Sequence, residues 1–82
     1  MDLKDFQQYV SGEYKIYNGH RKMYQFDNEV YVSVIFYKKG KCEVAVLIGS
    51  NIERHDWGLS KNEVLEILCE SLNHSKKLKG DI

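Results

Sequence analysis

The run Val30-Tyr31-Val32-Ser33-Val34-Ile35-Phe36-Tyr37, the tripeptide Lys38-Lys39-Gly40, and the run Lys41-Cys42-Glu43-Val44-Ala45-Val46-Leu47-Ile48 form the most informative stretch of the chain. Both runs alternate with a period of two, the signature of strands with one buried face. Val30, Val32, Val34 and Phe36 point one way, and Tyr31, Ser33, Ile35 and Tyr37 point the other. If Lys38, Lys39 and Gly40 form a three-residue loop, glycine occupies the left-handed position such loops require. That register sets Phe36 opposite Cys42, Val34 opposite Val44, Val32 opposite Val46 and Val30 opposite Ile48, so that one face is wholly apolar. A two-residue loop at Lys39-Gly40 would put Phe36 against Glu43 and mix the faces. Because the buried pattern sets register, the longer loop is preferred.

Upstream, Glu13 to Tyr17 alternates like a strand, and Asn18-Gly19 is a hairpin signal. The return strand runs from about His20 to Phe26, and Asp27-Asn28 gives the next turn. Asp2 to Gly12 reads as a short helix in which Leu3, Phe6 and Val10 share a face, Asp2 caps and Gly12 stops it. Downstream, Ile52 to Gly58 is irregular or a short edge segment. Ser60 with Glu63 makes a capping box, and Leu59 with Val64 a hydrophobic staple. Val64, Leu65, Leu68, Cys69 and Leu72 then form the inner face of a helix, with Glu63, Glu66 and Glu70 opposite. The helix should fray near Lys76-Lys77, leaving 76–82 as a mobile tail.

The fold class expected is α+β: one small domain over residues 1–82, in α-β-β-β-β-α order, an antiparallel meander with its helices on one face. The 82 residues carry 12 Lys+Arg against 12 Asp+Glu, a balance that argues against a strongly basic nucleic-acid binder. Neither Cys42 nor Cys69 belongs to a C-x-x-C pair, so two free thiols are expected, although one bridge between them stays open. His20, His55 and His74 lack metal-ligand spacing and no Gly-rich phosphate loop exists, so neither metal nor cofactor is expected. The polar start of the chain does not read as a signal peptide and no apolar run is long enough to span a membrane, which suggests a cytoplasmic protein. Lysine-rich, arginine-poor usage suggests an AT-rich genome, such as that of a low-GC bacterium or its phage.

Two regions are candidates for function. The first is the sheet face turned away from the valines. The alternation places Tyr17, Tyr24, Tyr31 and Tyr37 there with Ile35 and Leu47, interleaved with Lys15, Lys22 and Lys41. Lys38, Lys39 and Lys41 crowd the hairpin tip. Such a face can bind protein, since tyrosine supplies large contact area at low entropic cost. It can also stack bases while lysines take phosphates, or simply be solvated. The second is Glu53-Arg54-His55-Asp56-Trp57-Gly58, which combines carboxylates, an imidazole and the single tryptophan. No nucleophile-elbow motif accompanies it, and the simpler role is for Trp57 to anchor the loop on the core edge.

Gly58-Leu59-Ser60-Lys61-Asn62-Glu63 and the helix after it resemble the last helix of double-stranded-RNA-binding domains over less than a quarter of the chain. That resemblance would bring Lys61 near a phosphate backbone. The chain departs from the family at Asn62, where a second lysine is expected, and at Glu63 and Glu66, where basic residues are expected. Its first helix also lacks the family pattern, and the family is not assigned.

The expectation is therefore a non-enzymatic protein-binding module, a regulator or inhibitor of a larger assembly of the kind mobile elements encode. The alternative is a nucleic-acid-binding module using the same tyrosine and lysine face. The strand from Lys41 to Ile48 looks like an open edge. Either the segment around Trp57 folds over it, or a second copy pairs there or through the tyrosine face to make a homodimer.

Overall fold

The alternation of Val30 to Ile48 becomes the centre of a five-stranded antiparallel sheet in the computed structural model, which describes residues 1–80 and the side chains of residues 1–77. The strands are β1 (Val10–Ile16), β2 (Gly19–Gln25), β3 (Val30–Tyr37), β4 (Cys42–Ile48) and β5 (Asn51–Leu59), and they neighbour one another in chain order. A 3-10 helix (Leu3–Tyr9) precedes the sheet and α1 (Lys61–Gly80) follows it. The result is an α+β domain with an antiparallel meander and both helical elements on one side of it.

The β3–β4 pairing follows the apolar pattern. Phe36 faces Cys42, Val34 faces Val44, Val32 faces Val46 and Val30 faces Ile48. The loop is three residues long, Tyr37 N–H donates to the Lys41 carbonyl, and Gly40 takes φ +90°. Val30, Val32, Val34, Cys42, Val44 and Val46 pack against Val64, Ile67, Leu68 and Leu72 of α1. The Ser60 cap forms as expected: Glu63 N–H donates to Ser60 Oγ at 3.2 Å, and Ser60 N–H donates to Glu63 Oε1 at 3.0 Å. Ile67, Ser71 and Ser75 also lie on the buried stripe. The α1 helix continues to Gly80, beyond the Lys76-Lys77 end expected for it, while Asp81 and Ile82 lie outside the described residues.

Three expectations change. The first element is a 3-10 helix ending at Tyr9, capped by Asp2 as read, and Gly12 lies inside β1 beside a register shift instead of stopping a helix. A segment this short cannot sustain an α-helix by propensity. Phe6 is buried against Phe26, and Val10 is drawn into pairing with Tyr24, so the chain leaves the helical path early. The first hairpin turns on Tyr17-Asn18 rather than Asn18-Gly19, because Ile16 pairs with Gly19. Gly19 is needed for proximity: a Cβ there would sit 2.0 Å from the Phe36 carbonyl oxygen. The segment after Ser50 forms a full strand, β5, which covers β4, and the edge-pairing route to a dimer through β4 is closed. The two cysteines are free thiols as expected, Cys42 buried and Cys69 half-buried.

The second hairpin sets the faces of the molecule. Phe26 N–H donates to the Val30 carbonyl across a three-residue loop, Asp27 to Glu29. Asp27 Oδ1 accepts from Glu29 N–H at 2.6 Å and Val30 N–H at 3.0 Å, an Asx turn, and its other oxygen accepts from Ser75 Oγ on α1. Tyr24 therefore pairs with Val32 and Lys22 with Val34, on the core side. A two-residue turn would have reversed every side chain of β2.

Candidate interaction face and inner cleft

The sheet face opposite the helices is uncovered. Reading across the strands, one row is Tyr14, Arg21, Ile35 and Glu43, and a second is Gly12, Met23, Ser33, Ala45 and His55. Gln25, Tyr31, Leu47 and Ile52 form a third. Trp57 extends from β5 beside His55, its ring stacked on the imidazole with centroids 4.5 Å apart.

The few charges on this face are held flat by hydrogen bonds. Arg21 Nε donates to Ser33 Oγ at 2.8 Å, and its Nη2 reaches Met23 Sδ at 3.2 Å. Glu43 accepts from the Tyr37 hydroxyl at 2.8 Å through one oxygen and lies 2.8 Å from His55 Nε2 through the other. The hydrogen bond from His55, reinforced by that from Tyr37, holds the Glu43 carboxyl below its usual range. The same carboxylate pushes the Tyr37 phenol up. What remains in view is aliphatic and aromatic: Tyr14, Ile35, Leu47, Ile52 and Trp57, the last 68% exposed.

The tyrosine set expected on this face is divided. Tyr31 and Tyr37 lie there half-buried. Tyr24 is only 1% exposed, inside the core, and burial pushes its phenol up to about 12. Tyr17, 93% exposed, is at the tip of the first hairpin. Lys22 is on the helix side, donating to Gln7 at 3.0 Å and pairing with Glu13 at 3.3 Å. Lys38, Lys39 and Lys41 are exposed at the β3–β4 tip. The common cause for Tyr24 and Lys22 is the length of the Asp27 turn. His55 was missed because β5 was not read as a full strand, whereas Tyr14, Arg21 and Met23 were missed for the same turn-length reason. Pairing Phe26 with Val30 and Tyr24 with Val32, the criterion that settled the β3–β4 register, would have found them.

The Glu53 to Gly58 segment is strand rather than loop, and Trp57 does not anchor on the core. Arg54 and Asp56 turn to the helix side, where Arg54 pairs with Asp56 and with Glu70 at 3.4 Å. Among the described residues no group of three His, Cys, Asp or Glu could hold a metal ion, and no helix is long and apolar enough to cross a membrane.

On the core side, α1 packs on β3, β4 and β5, and the 3-10 helix on β2. The Ile16 end of β1 and the Gly19 end of β2 are left without a roof. A cleft of about 1060 Å³ opens there, lined by Leu3, Glu13, Lys15, His20, Lys22, Phe36, Lys38 and Lys61 among others.

The chain matches no protein-family model, no curated protein and no solved structure. The fold and its open face define the class: a small α+β domain with a covered sheet face and an uncovered one.

Proposed function

We propose that this chain is a non-enzymatic protein-binding module whose docking surface is the uncovered sheet face, and that the occupant of that face is a second copy of the chain. The observation that carries the reading is the self-complementarity of the row Arg21, Ile35, Glu43. β3 is the central strand, with Arg21 on one neighbour and Glu43 on the other, both directly opposite Ile35. A two-fold axis lying along β3 in the interface places Ile35 on Ile35 and Arg21 of each copy over Glu43 of the other. Tyr14 then falls toward the His55–Trp57 edge.

Geometry and size support this arrangement. Packed sheets cross at about 30°, which displaces groups one strand (about 4.8 Å) from the axis by about 2.5 Å, within the reach of an arginine. Five strands of roughly seven residues present about 600 Å² of flat area, before side-chain relief is added, against about 800 Å² per partner in a standard interface. Zero net charge leaves no overall repulsion between copies.

Base stacking on the same face is the weaker reading, because Lys15 and Lys22 lie on the opposite side of the sheet. In biological terms the module acts by contact, as a small regulator or inhibitor of a larger assembly would. The composition fits a low-GC bacterium or its phage and a cytoplasmic setting.

Light scattering at high micromolar concentration tests the occupant. The expected mass is twice 9.6 kDa. Ile35→Glu should be folded by circular dichroism and monomeric, while Glu66→Arg, on the solvent side of α1, should stay dimeric. A wild-type mass of 9.6 kDa overturns self-pairing. So does a monomer whose photocrosslinker at Ile35 captures a different protein.

A further inference from the structure

The unroofed cleft is the second unusual feature of the molecule, and it is independent of the sheet-face reading. It lies on the core side of the sheet, where apolar residues are expected, yet its floor is a polar and aromatic row. Lys15 pairs with His20, His20 with Phe36, and Phe36 with Cys42. The imidazole of His20 is stacked on the Phe36 ring, with centroids 5.0 Å apart and planes 17° apart. His20 is exposed while Phe36 is half-buried, so Phe36 braces an imidazole that is accessible to solvent, with Lys15 as its neighbour on the other strand.

Around this floor stand Lys15, Lys22, Lys38 and Lys61, with Glu13 as the acidic residue in the lining. Lys22 and Glu13 pair with each other at 3.3 Å. Lys15, Lys38 and Lys61 have no ion pair with any described side chain and are exposed. The backbone fixes Lys38 at the rim, since its N–H donates to the Asn18 carbonyl at 2.7 Å. Lys61 begins α1 in the cleft lining and is close enough to Cys42 to pull its thiol pKa down against the upward effect of burial. Three uncompensated cations facing one cleft, in a chain of zero net charge, make a local field that an anion relieves.

We propose that this cleft binds a nucleotide, either free or within a single strand, with its base stacked on His20 and its phosphate held by Lys15, Lys38 and Lys61. A bare anion would use the lysines and leave the aromatic floor idle, and an apolar ring would do the reverse. A nucleotide uses both, and stacking on an imidazole is tolerant of base identity. The cleft volume is at the upper end of small-molecule sites, roughly 300–1,000 Å³, which leaves room for more than one nucleotide unit.

The test is a titration of the intact protein with inorganic phosphate, adenosine, AMP and a short single-stranded oligonucleotide, followed by the imidazole proton resonances. AMP should move the His20 signals, leave those of His55 on the far face unmoved, and bind about tenfold tighter than phosphate or adenosine alone. An oligonucleotide that binds more tightly than AMP, with a log–log salt slope near −2 for three lysines, assigns the ligand to a strand; equal affinities assign it to a free nucleotide. Lys15→Gln with Lys61→Gln, both at exposed positions, should weaken binding about tenfold or more without lowering the melting temperature. His20→Ala should bring AMP down to the affinity of phosphate. The proposal is overturned if AMP binds no better than phosphate, if His20 does not respond, or if the lysine pair can be removed without effect.

Discussion

Gly19→Ala is the substitution to which the fold should be most sensitive for its size. An added Cβ would lie 2.0 Å from the Phe36 carbonyl oxygen and 2.9 Å from the carbon behind it, both backbone atoms that no rotamer change can move. Restoring ordinary contact at 3.4 Å or beyond requires the start of β2 to shift from β3 by more than an ångström. That shift breaks the end of the ladder where Gly19 faces Tyr37, pulls on the 2.7 Å bond from Lys38 N–H to the Asn18 carbonyl, and disturbs the His20–Phe36 stack. Two or three hydrogen bonds at about 1 kcal/mol each, with part of an aromatic contact, amount to about 2–4 kcal/mol. Two other glycines calibrate the claim. Gly40 has φ +90° and open space, so Gly40→Ala should cost about 1 kcal/mol from backbone strain alone. At Gly12 the new methyl meets the far end of the Tyr14 side chain, 2.5 Å from its hydroxyl, and that exposed ring can swing away, so the cost should be under about 0.5 kcal/mol. Urea unfolding of the three variants should rank them Gly19 far above Gly40, with Gly12 near wild type. A Gly19→Ala variant within experimental error of wild type would refute the first-hairpin geometry.

Other outcomes follow from particular contacts. Ser75→Ala removes the link from α1 to the Asp27 turn and should cost about 1–3 kcal/mol in urea unfolding, because a half-buried charged acceptor loses a donor. The Glu43 carboxyl is held below its usual value of 4.5, so its contribution is complete above that pH and disappears as pH falls through the lower folded value. Glu43→Gln should therefore flatten the acid limb of the stability profile in that window, a result read from melting temperature against pH. In alkaline titration followed at the phenolate band, Tyr24 should ionise near pH 12, and its contribution to stability should fall away between the unfolded value of 10.0 and that point. Trp57 emission should shift to the blue as wild-type concentration rises through the dimer transition and remain red-shifted in Ile35→Glu.

The legible parts of the fold were those in which several physical demands agreed. The β3–β4 register was fixed jointly by the apolar pairs and by the left-handed glycine at the loop. The α1 start was marked by a cap, a box and a staple at once. The first hairpin was misread by one residue because Asn18-Gly19 satisfies a local turn rule, while Gly19 serves a non-local need, the approach of Phe36. The faces of β2 were misread because Asp27-Asn28 is a plausible two-residue turn by itself, and the Asx bonds of Asp27 to Glu29 and Val30 make it three. One residue at that turn moved Tyr24 into the core and Lys22 to the helix side. β5 was obscured because its five central residues, Glu53 to Trp57, are charged or exposed, as a bulged edge strand can be. Of the candidate site, Tyr31 and Tyr37 were placed correctly because they lie on β3, whose alternation is unambiguous. The cleft was invisible to periodicity, since His20 and Lys15 have the right parity for the core but lie beyond the reach of α1.

The pairing of Arg21 with Glu43 across a two-fold axis is the central claim, and a mixing experiment tests it most directly. Arg21→Glu places acid over acid in a homodimer, and Glu43→Arg places base over base. In a mixture of the two chains, each substituted or native position meets its opposite charge, so both cross-pairs are restored. Light scattering should find each variant alone at 9.6 kDa and the equimolar mixture at twice that mass. Variants that remain dimeric alone, or a mixture of folded chains that remains monomeric, would contradict the account.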